Sequence, residues 1–593
     1  MKDDFYPGSY QTTIANALAA LENEHITERI WTRDYTVWKT SPAEISNRLG
    51  WLESPWNMGD RIAEIQAVVE TVRQDGYRHA LLLGMGGSSL APETFRKVFG
   101  VRTGYLELAI LDSTDPATVL SLARSLDLSR TLFLVSTKSG GTVETFSFMK
   151  YFYNRVLAVR GREEAGRHFI AITDPGSGIA DWAKRLDFRH IFLNDPDIGG
   201  RFSALSCFGL VPGAIIGMDI GRLLAIARAE GEREKAPGAS NFTAFPADGR
   251  TGKGDGEGNE SSPGDGRKSS GTTLGETVIS AALLGAALGE LAKAGRDKAT
   301  FFLSPRIESF GAWLEQLIAE STGKDGRGIV PIVGEAPGPP DVYGDDRVFI
   351  NVSLGEDNRH NNLLAALRQA GHPIIELLME EPYDLGGEIF RWEMATAVAG
   401  ERLGINPFDQ PDVEAAKVLA RQMVAAYRDK GKLPEETPAW SSEATDIFGD
   451  VASLKDFLAQ ARAGDYIALQ AYIAPTGEMN LALENLRLRI RDRYRLATTV
   501  GYGPRYLHST GQLHKGDRGA GLFIQITAAD QEDAPIPDEP GHSSSSITFG
   551  ALKAAQAMGD RQALINSGRR VIRLHFRKNP SAELGKMAAD ILG

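Results

Sequence analysis

Two stretches of this sequence share one plan, and that plan narrows the fold more than anything else in the chain. Residues 81–94 read LLLGMGGSSLAPET and residues 131–145 read TLFLVSTKSGGTVET. Each is an apolar run suited to a buried parallel strand, then a loop of glycine and hydroxyl residues, then the start of a helix. The helices are expected to open near Pro92, where proline is tolerated, and near Thr142. Successive strand–loop–helix units build a parallel sheet and place both loops at its carboxyl edge, where open α/β sheets bind ligands. In the second loop Gly140 and Gly141 allow a tight turn, and Thr137, Ser139 and Thr142 offer three hydroxyls beside the positive end of a helix dipole. This describes a site for a phosphate-sized anion. It equally describes a plain strand-to-helix turn in which Thr142 is only an N-cap. Neither loop is a Walker A sequence or GxGxxG, so a nucleotide is not the first expectation.

The same alternation extends along the chain. Strands are expected at 80–83, 108–111, 132–135, 169–172 and 191–193, and again at 299–303, 329–333, 348–352 and 374–378. Residues 1–75 read as a helical lead-in, with apolar residues at helical spacing over 14–21 and 62–72. Residues 237–272, dominated by Gly, Ser, Asp, Glu and Lys, read as a disordered insertion, and an Ala/Leu/Gly-rich helix is expected over 274–294. From 435 to 593 a separate pattern has strands at 497–500, 521–526 and 571–574 and helices at 480–494 and 549–558. A chain of 593 residues exceeds one core. The expected class is α/β: two doubly wound parallel-sheet domains, 76–236 and 273–434, and a smaller C-terminal α/β domain, 435–593.

Charge and composition exclude some partners. The formal net charge is -12 with no basic stripe, which argues against nucleic acid and an anionic membrane. Cys207 is the only cysteine, so no intrachain disulfide forms and a reducing cytoplasm fits. The N-terminus has neither a basic n-region nor an apolar h-region, and the chain reads as soluble and cytoplasmic. Without HxH, HExxH or CxxC clusters, no metal and no cofactor are expected.

Three further blocks carry candidate chemistry. In DPDIGGRFSALSCFGL, Arg201 follows a glycine bend, placed either to pair with a carboxylate or to stabilise charge developing on a substrate. In LEQLIAESTGKDGRG, Gln316 and Glu320 are four apart and share one helix face, and Glu320 is either a general base or an ordinary surface carboxylate. In NPFDQPDVEAAKV a turn precedes a helix bearing Glu414 and Lys417. The tail adds GYGPRYLHSTGQLHKG, whose Arg505, His508, Ser509, Thr510 and Lys515 form a polar cluster that could complete an active site or line an interface. Its plain reading is a helix-capping surface loop.

Taken in order, these blocks resemble phosphoglucose isomerase, a family built on two sugar-isomerase (SIS) domains, from about Ala80 to Lys417. The resemblance implies that GMGGSS puts Gly87 and Ser88 on the sugar, and that TKSGGTVET puts Thr137, Lys138, Ser139 and Thr142 on the phosphate, with Glu144 bracing that site. It further implies that Arg201 stabilises an enediolate, that Gln316 contacts the sugar, that Glu320 is the catalytic base, and that Gln410 and Lys417 are the family's late Gln and Lys. More closely, the chain resembles the isomerase part of fused transaldolase/phosphoglucose isomerase proteins, standing alone, since no transaldolase barrel fits before Tyr77. The implied reaction is reversible isomerisation of glucose 6-phosphate and fructose 6-phosphate through a cis-enediolate, by a homodimer. The family's ring-opening histidine is lent by the neighbouring subunit from a loop after the base. Here that loop, GEAPGPPDVYGDDR, carries Tyr343 instead, and His360 is the nearest later candidate. An isomerase of another sugar phosphate, such as mannose 6-phosphate, and a noncatalytic SIS sensor remain the alternatives.

Overall fold

In a computed structural model, residues 3–236 and 278–591 are described; the predicted insertion, 237–272, lies outside them. The strand–helix alternation yields three main sheets. The first has the order β3-β2-β4-β5-β6, built from β2 (His79–Gly84), β3 (Glu107–Leu111), β4 (Thr131–Ser136), β5 (Phe169–Thr173) and β6 (His190–Leu193), all parallel. Every residue of β4 is buried, because helices cover both faces. Gly84 stands opposite Ser136, so the two glycine loops leave the sheet side by side.

The helix after β2, α1 (Gly87–Phe99), begins five residues before Pro92 rather than at it. Proline inside a helix deprives the carbonyl four residues back of its donor. That carbonyl belongs to Ser88, and it accepts instead from Ser136 Oγ at 3.2 Å. The helix after β4, α2 (Val143–Arg160), starts where expected.

The second sheet has the order β1-β10-β9-β7-β8, with β7 (Lys298–Leu303), β8 (Val330–Ile332), β9 (Arg347–Leu354) and β10 (Ile374–Met379) parallel. Its edge strand β1 (Asp4–Tyr6) is antiparallel to β10, which corrects the all-helical reading of residues 1–75. Asp3 anchors this edge: its carboxylate accepts from Leu378 N at 2.9 Å, Ile279 N at 3.0 Å and Arg391 Nη1 at 3.2 Å. Four more helices place functional residues: α3 (Ala281–Lys293), α4 (Phe310–Thr322), α5 (Leu385–Leu403) and α6 (Val413–Lys430).

The tail sheet has the order β11-β12-β18-β15-β13-β14, comprising β11 (Trp440–Ser441), β12 (Thr445–Phe448), β13 (Tyr466–Tyr472), β14 (Ala497–Tyr502), β15 (Gly521–Ala528) and β18 (Arg570–Phe576). A short antiparallel pair, β16 (Pro535–Ile536) and β17 (Ile547–Thr548), lies between its last two strands in chain order. The interior strand β13, fully buried, was not among the strands expected from sequence. Helix α7 (Phe549–Asn566) follows β17 and packs against α6. One apolar core fills the space between the first two sheets and the lead-in helices, including Trp51, Phe202, Leu284, Trp313 and Trp392. A second lies on the outer face of the first sheet, where Phe148 and Phe152 of α2 meet Phe549 and Leu552 of α7. The tail is therefore packed against the body of the molecule, and α7 reaches the edge where the glycine loops emerge. Among the described residues no helix is long and apolar enough to cross a membrane.

Close packing dictates one glycine at that edge. A Cβ on Gly87 would lie 1.9 Å from Gly200 O, so α1 can meet the turn before Arg201 only if residue 87 has no side chain. Gly87→Ala is expected to cost about 1–3 kcal/mol, as overpacking does, and thermal unfolding of the variant measures it.

Candidate active site

The loop after β4 presents hydroxyls without using them to cap its helix. Thr142 occupies the N-cap position with extended backbone, yet its side chain makes no capping bond. It accepts instead from Thr137 Oγ1 at 3.2 Å. Ser139 Oγ accepts from Gly141 N at 3.3 Å, and Gly141 and Val143 are exposed. The first turn of an 18-residue helix thus keeps free N–H donors and its dipole facing outward, beside three hydroxyls. This favours the anion site over the plain turn. Lys138 is turned elsewhere: its ammonium pairs with Asp174 and donates to Pro196 O at 2.8 Å. The Ser88 hydroxyl, at the start of α1, makes no hydrogen bond among the described residues, whereas Gly87 acts through the packing described above.

Helix α4 carries the expected acid/base group and its neighbour. Gln316 and Glu320 lie on one face, as their spacing requires, with Gln316 Nε2 donating to Glu320 Oε2 at 3.1 Å. Arg201, fully buried, places Nη1 3.5 Å from Glu320 Oε1. Its remaining donors go to Ser321 Oγ (2.7 Å), Gln410 Oε1 (3.0 Å), Pro407 O (2.6 Å) and Asp409 O (3.0 Å). Four hydrogen bonds and the ion pair with Glu320 therefore fix the guanidinium in one orientation. Burial lowers its pKa, and the charges of Glu320 and Asp409 oppose that shift. Lys324, just beyond α4, grips the same turn through Asp409 Oδ1 at 2.9 Å and the Asp409 carbonyl. Burial, helped by the charge of Arg201, lowers its pKa to about 8. Sequence reasoning gives Lys324 no role, because its partner lies 85 residues away and no local pattern marks it.

The tail loop between β14 and β15 enters this cluster. His508 O accepts from Gln316 Nε2 at 2.8 Å, and Ser509 Oγ donates to Glu315 Oε1 at 3.3 Å. Burial pushes the Glu315 carboxyl up to about 7. His508 Nε2 lies 3.1 Å from Glu144 Oε1, which also accepts from Gln556 Nε2 of α7 at 2.6 Å. Burial alone would raise the Glu144 pKa; the charge and hydrogen bond of His508 outweigh it and hold the carboxyl below the usual range. Arg505 pairs with Glu93 (2.6 Å) and Asp112 (3.3 Å), and Lys515 with Asp560 (2.6 Å), fixing the loop at both ends. The tail loop is thus part of the site rather than a surface cap.

The hydroxyl loop, the tail loop, α6 and α7 border a cleft of about 710 Å³, lined by Ser139, Thr142, Glu144, Lys417 and His508 among others but not by Arg201 or Glu320. Lys417 projects from α6, half exposed, with Glu414 3.8 Å away. Gln316 connects the lining residue His508 to Glu320. His360 does not line this cleft: it precedes the helix Asn361–Gln369 and stacks on Phe302 with ring centroids 5.2 Å apart. Tyr343 is buried and accepts from Gly338 N at 2.7 Å, a structural contact.

The phosphoglucose isomerase family profile matches residues 58–229. Glucose-6-phosphate isomerase of Rubrobacter xylanophilus is 27% identical over 416 residues, spanning 61% of this chain and 86% of the relative. That of Thermus thermophilus is 28% identical over 435 residues, spanning 64% and 91%. Among solved structures, a glucose-6-phosphate isomerase from Chlamydia trachomatis superposes with a TM-score of 0.54 at 19% identity, covering 71% of this chain and 87% of that one, a likeness of fold. In the stretch that carries the glycine loops and in its overall relatives, this chain is similar to the phosphoglucose isomerases.

Proposed function

We propose that the chain interconverts glucose 6-phosphate and fructose 6-phosphate. The observation that carries this reading is the pairing of Glu320 with a buried, immobile Arg201 beside a hydroxyl-lined anion loop. The relatives' shared activity supports the same substrate pair. Thr137, Ser139 and Thr142, with the free N–H groups of α2, hold the phosphate and set the sugar's position relative to Glu320. Ser88 contacts the sugar from the other loop. Gln316 Oε1, buried without a partner, accepts a sugar hydroxyl.

Glu320 removes the proton from C2 of the open-chain aldose. The C–H electron pair becomes the C1–C2 double bond, and negative charge gathers on the former carbonyl oxygen. The same carboxyl returns the proton to C1 as the hydroxyl proton shifts between the two oxygens. Arg201, whose N–H groups are already engaged, acts through its fixed positive charge in a dry setting, where such charge is most effective. Lys417 and Gln410 sit at the rim, where Lys417 assists ring opening.

Two outcomes test the reading. Glu320→Gln keeps the shape and the hydrogen bond to Gln316; it is expected to lower kcat by about 10²–10⁴-fold with sugar-phosphate binding retained. Coupled conversion of fructose 6-phosphate to glucose 6-phosphate by the purified protein measures this, and a variant with near-normal turnover would exclude Glu320 as the base. The second outcome concerns Lys324. It loses its proton near pH 8 in the folded protein, well below the ordinary lysine value. Activity should therefore fall as pH rises through about 8, when the grip on Asp409 and the turn carrying Gln410 weakens. Lys324→Arg, which stays charged, should shift that alkaline limb upward in a pH–rate profile. Stability should move the opposite way: between the folded and the higher unfolded pKa the unfolded chain binds more protons, so this group favours the folded state as pH rises.

A further inference from the structure

Two directions lead from the hydroxyl loop. One passes through His508 and Gln316 to Glu320, where the proposed chemistry takes place. The other is the cleft along α6, which neither Arg201 nor Glu320 lines. We propose that this second direction is a subsite for an organic phosphate with an apolar body. Its phosphate sits on the hydroxyl loop, its body lies between α6 and α7, and it inhibits turnover by displacing the substrate's phosphate. The inhibition, though not the binding, rests on the isomerase reading above.

The walls of the cleft carry this inference. On α6 the lining residues Val413, Ala416, Ala420 and Val424 are spaced as one helix face. At the rise of an α-helix that row is about 16 Å long. Of the eighteen residues of α6 only Ala416 is buried, so the row forms an accessible apolar wall. Leu507 of the tail loop and Leu552 of α7 line the cleft as well. Val143, the first residue of α2 and next to Thr142, lines it too and is 52% exposed. An apolar group therefore adjoins the hydroxyls themselves. The volume, about 710 Å³, is that of a small-molecule site.

A sugar laid along the apolar row would bring hydroxyls against side chains that neither donate nor accept, which is unfavourable. An apolar body there gains about 25 cal/mol for each Å² it buries. Charge completes the fit. Lys417, Arg421 and Arg428 line the same cleft from a neighbouring row of α6, in a chain whose formal net charge is -12. Of the acids in the lining, Glu414 is shared by Arg421 at 2.6 Å and Lys417 at 3.8 Å, and Glu144 is held by His508 and Gln556. Asp429 lies at the last turn of α6.

Naphthyl phosphate and inorganic phosphate share a head and differ in the body, so together they test the subsite. With the full chain converting fructose 6-phosphate, naphthyl phosphate is expected to inhibit competitively at a concentration at least about tenfold below that of inorganic phosphate. Val424→Trp places bulk on the apolar wall at a position outside the groups assigned to catalysis. It should abolish the difference between the two compounds while leaving kcat and inhibition by inorganic phosphate unchanged. Should Val424→Trp prove unstable in thermal unfolding, Ala425→Trp, at an exposed position lining the same cleft, replaces it. Equal inhibition by the two compounds, or a difference that survives the substitution, overturns the inference and leaves the isomerase reading in place. A dimer in sedimentation that Val424→Trp dissociates would assign the wall to a second copy of the chain and overturns it as well. If the wild-type protein is inactive, calorimetry with the same two compounds separates the readings: preferential binding of naphthyl phosphate that is lost in Val424→Trp sustains the subsite while the isomerase reading falls.

Discussion

A single buried carboxylate holds the cleft together. Glu144 sits in the first turn of α2, beneath the hydroxyl loop, and is withdrawn from water. A charge in that position is costly unless paired, and removal of either partner leaves the other stranded. Both partners, His508 and Gln556, come from the tail. The hydroxyl loop and the tail packed against it are therefore interdependent through Glu144. Lys553, three residues before Gln556 on α7, reinforces the same joint by pairing with Asp115 at 2.8 Å, as does the 2.8 Å bond from Thr114 to Gln556.

A second anchor fixes the surroundings of Glu320. Arg201 and Lys324 converge on the turn at Pro407–Asp409–Gln410, one through three acceptors and the other through two. The two cations are neighbours, and their mutual repulsion contributes to the low pKa of Lys324. Their arrangement persists because the turn supplies carbonyl oxygens, whose dipoles satisfy buried cations without a full complement of counter-charges. The consequence is an electrostatic environment set before substrate arrives, which spares the reaction the reorganisation that water would demand.

How much of this could be read from residues alone follows from the range of each interaction. The strands of the first two sheets and both glycine loops were legible because periodicity and turn chemistry are local. Gln316 and Glu320 were legible as a pair because helical geometry makes residues four apart neighbours. Thr142 was ambiguous for a physical reason: an N-cap and an anion ligand have the same sequence signature, and only the hydroxyl's direction, toward Thr137, separates them. The run YIALQAY of β13 is readable as a buried strand, although it is absent from the expected set. Residues 1–75 misled because β1 is short and belongs to a sheet completed some 370 residues later, at β10. His508 was visible only as one member of a polar loop. Its partner Glu144 is 364 positions away, and no spacing rule links them. The expectation at His360 came from its position after the base, and position along the chain does not report which sheet edge a loop faces.

The first glycine loop shows how such distant parts are reconciled. Gly86 has φ +55, and a Cβ there would lie 2.9 Å from both Gln316 Nε2 and His508 O. Those two atoms form the hydrogen bond that joins α4 to the tail. A side chain at 86 would thus be strained in its own backbone and would also drive apart α4 and the His508 loop. Glycines in such loops are usually credited with letting main-chain N–H groups approach a ligand. Here Gly86 and Gly87 also let protein segments approach one another: α1 against the Arg201 turn, and α4 against the tail. The local motif and the long-range assembly are two consequences of the same missing Cβ atoms, so a sequence feature that reads as a ligand loop also specifies where the rest of the chain must close.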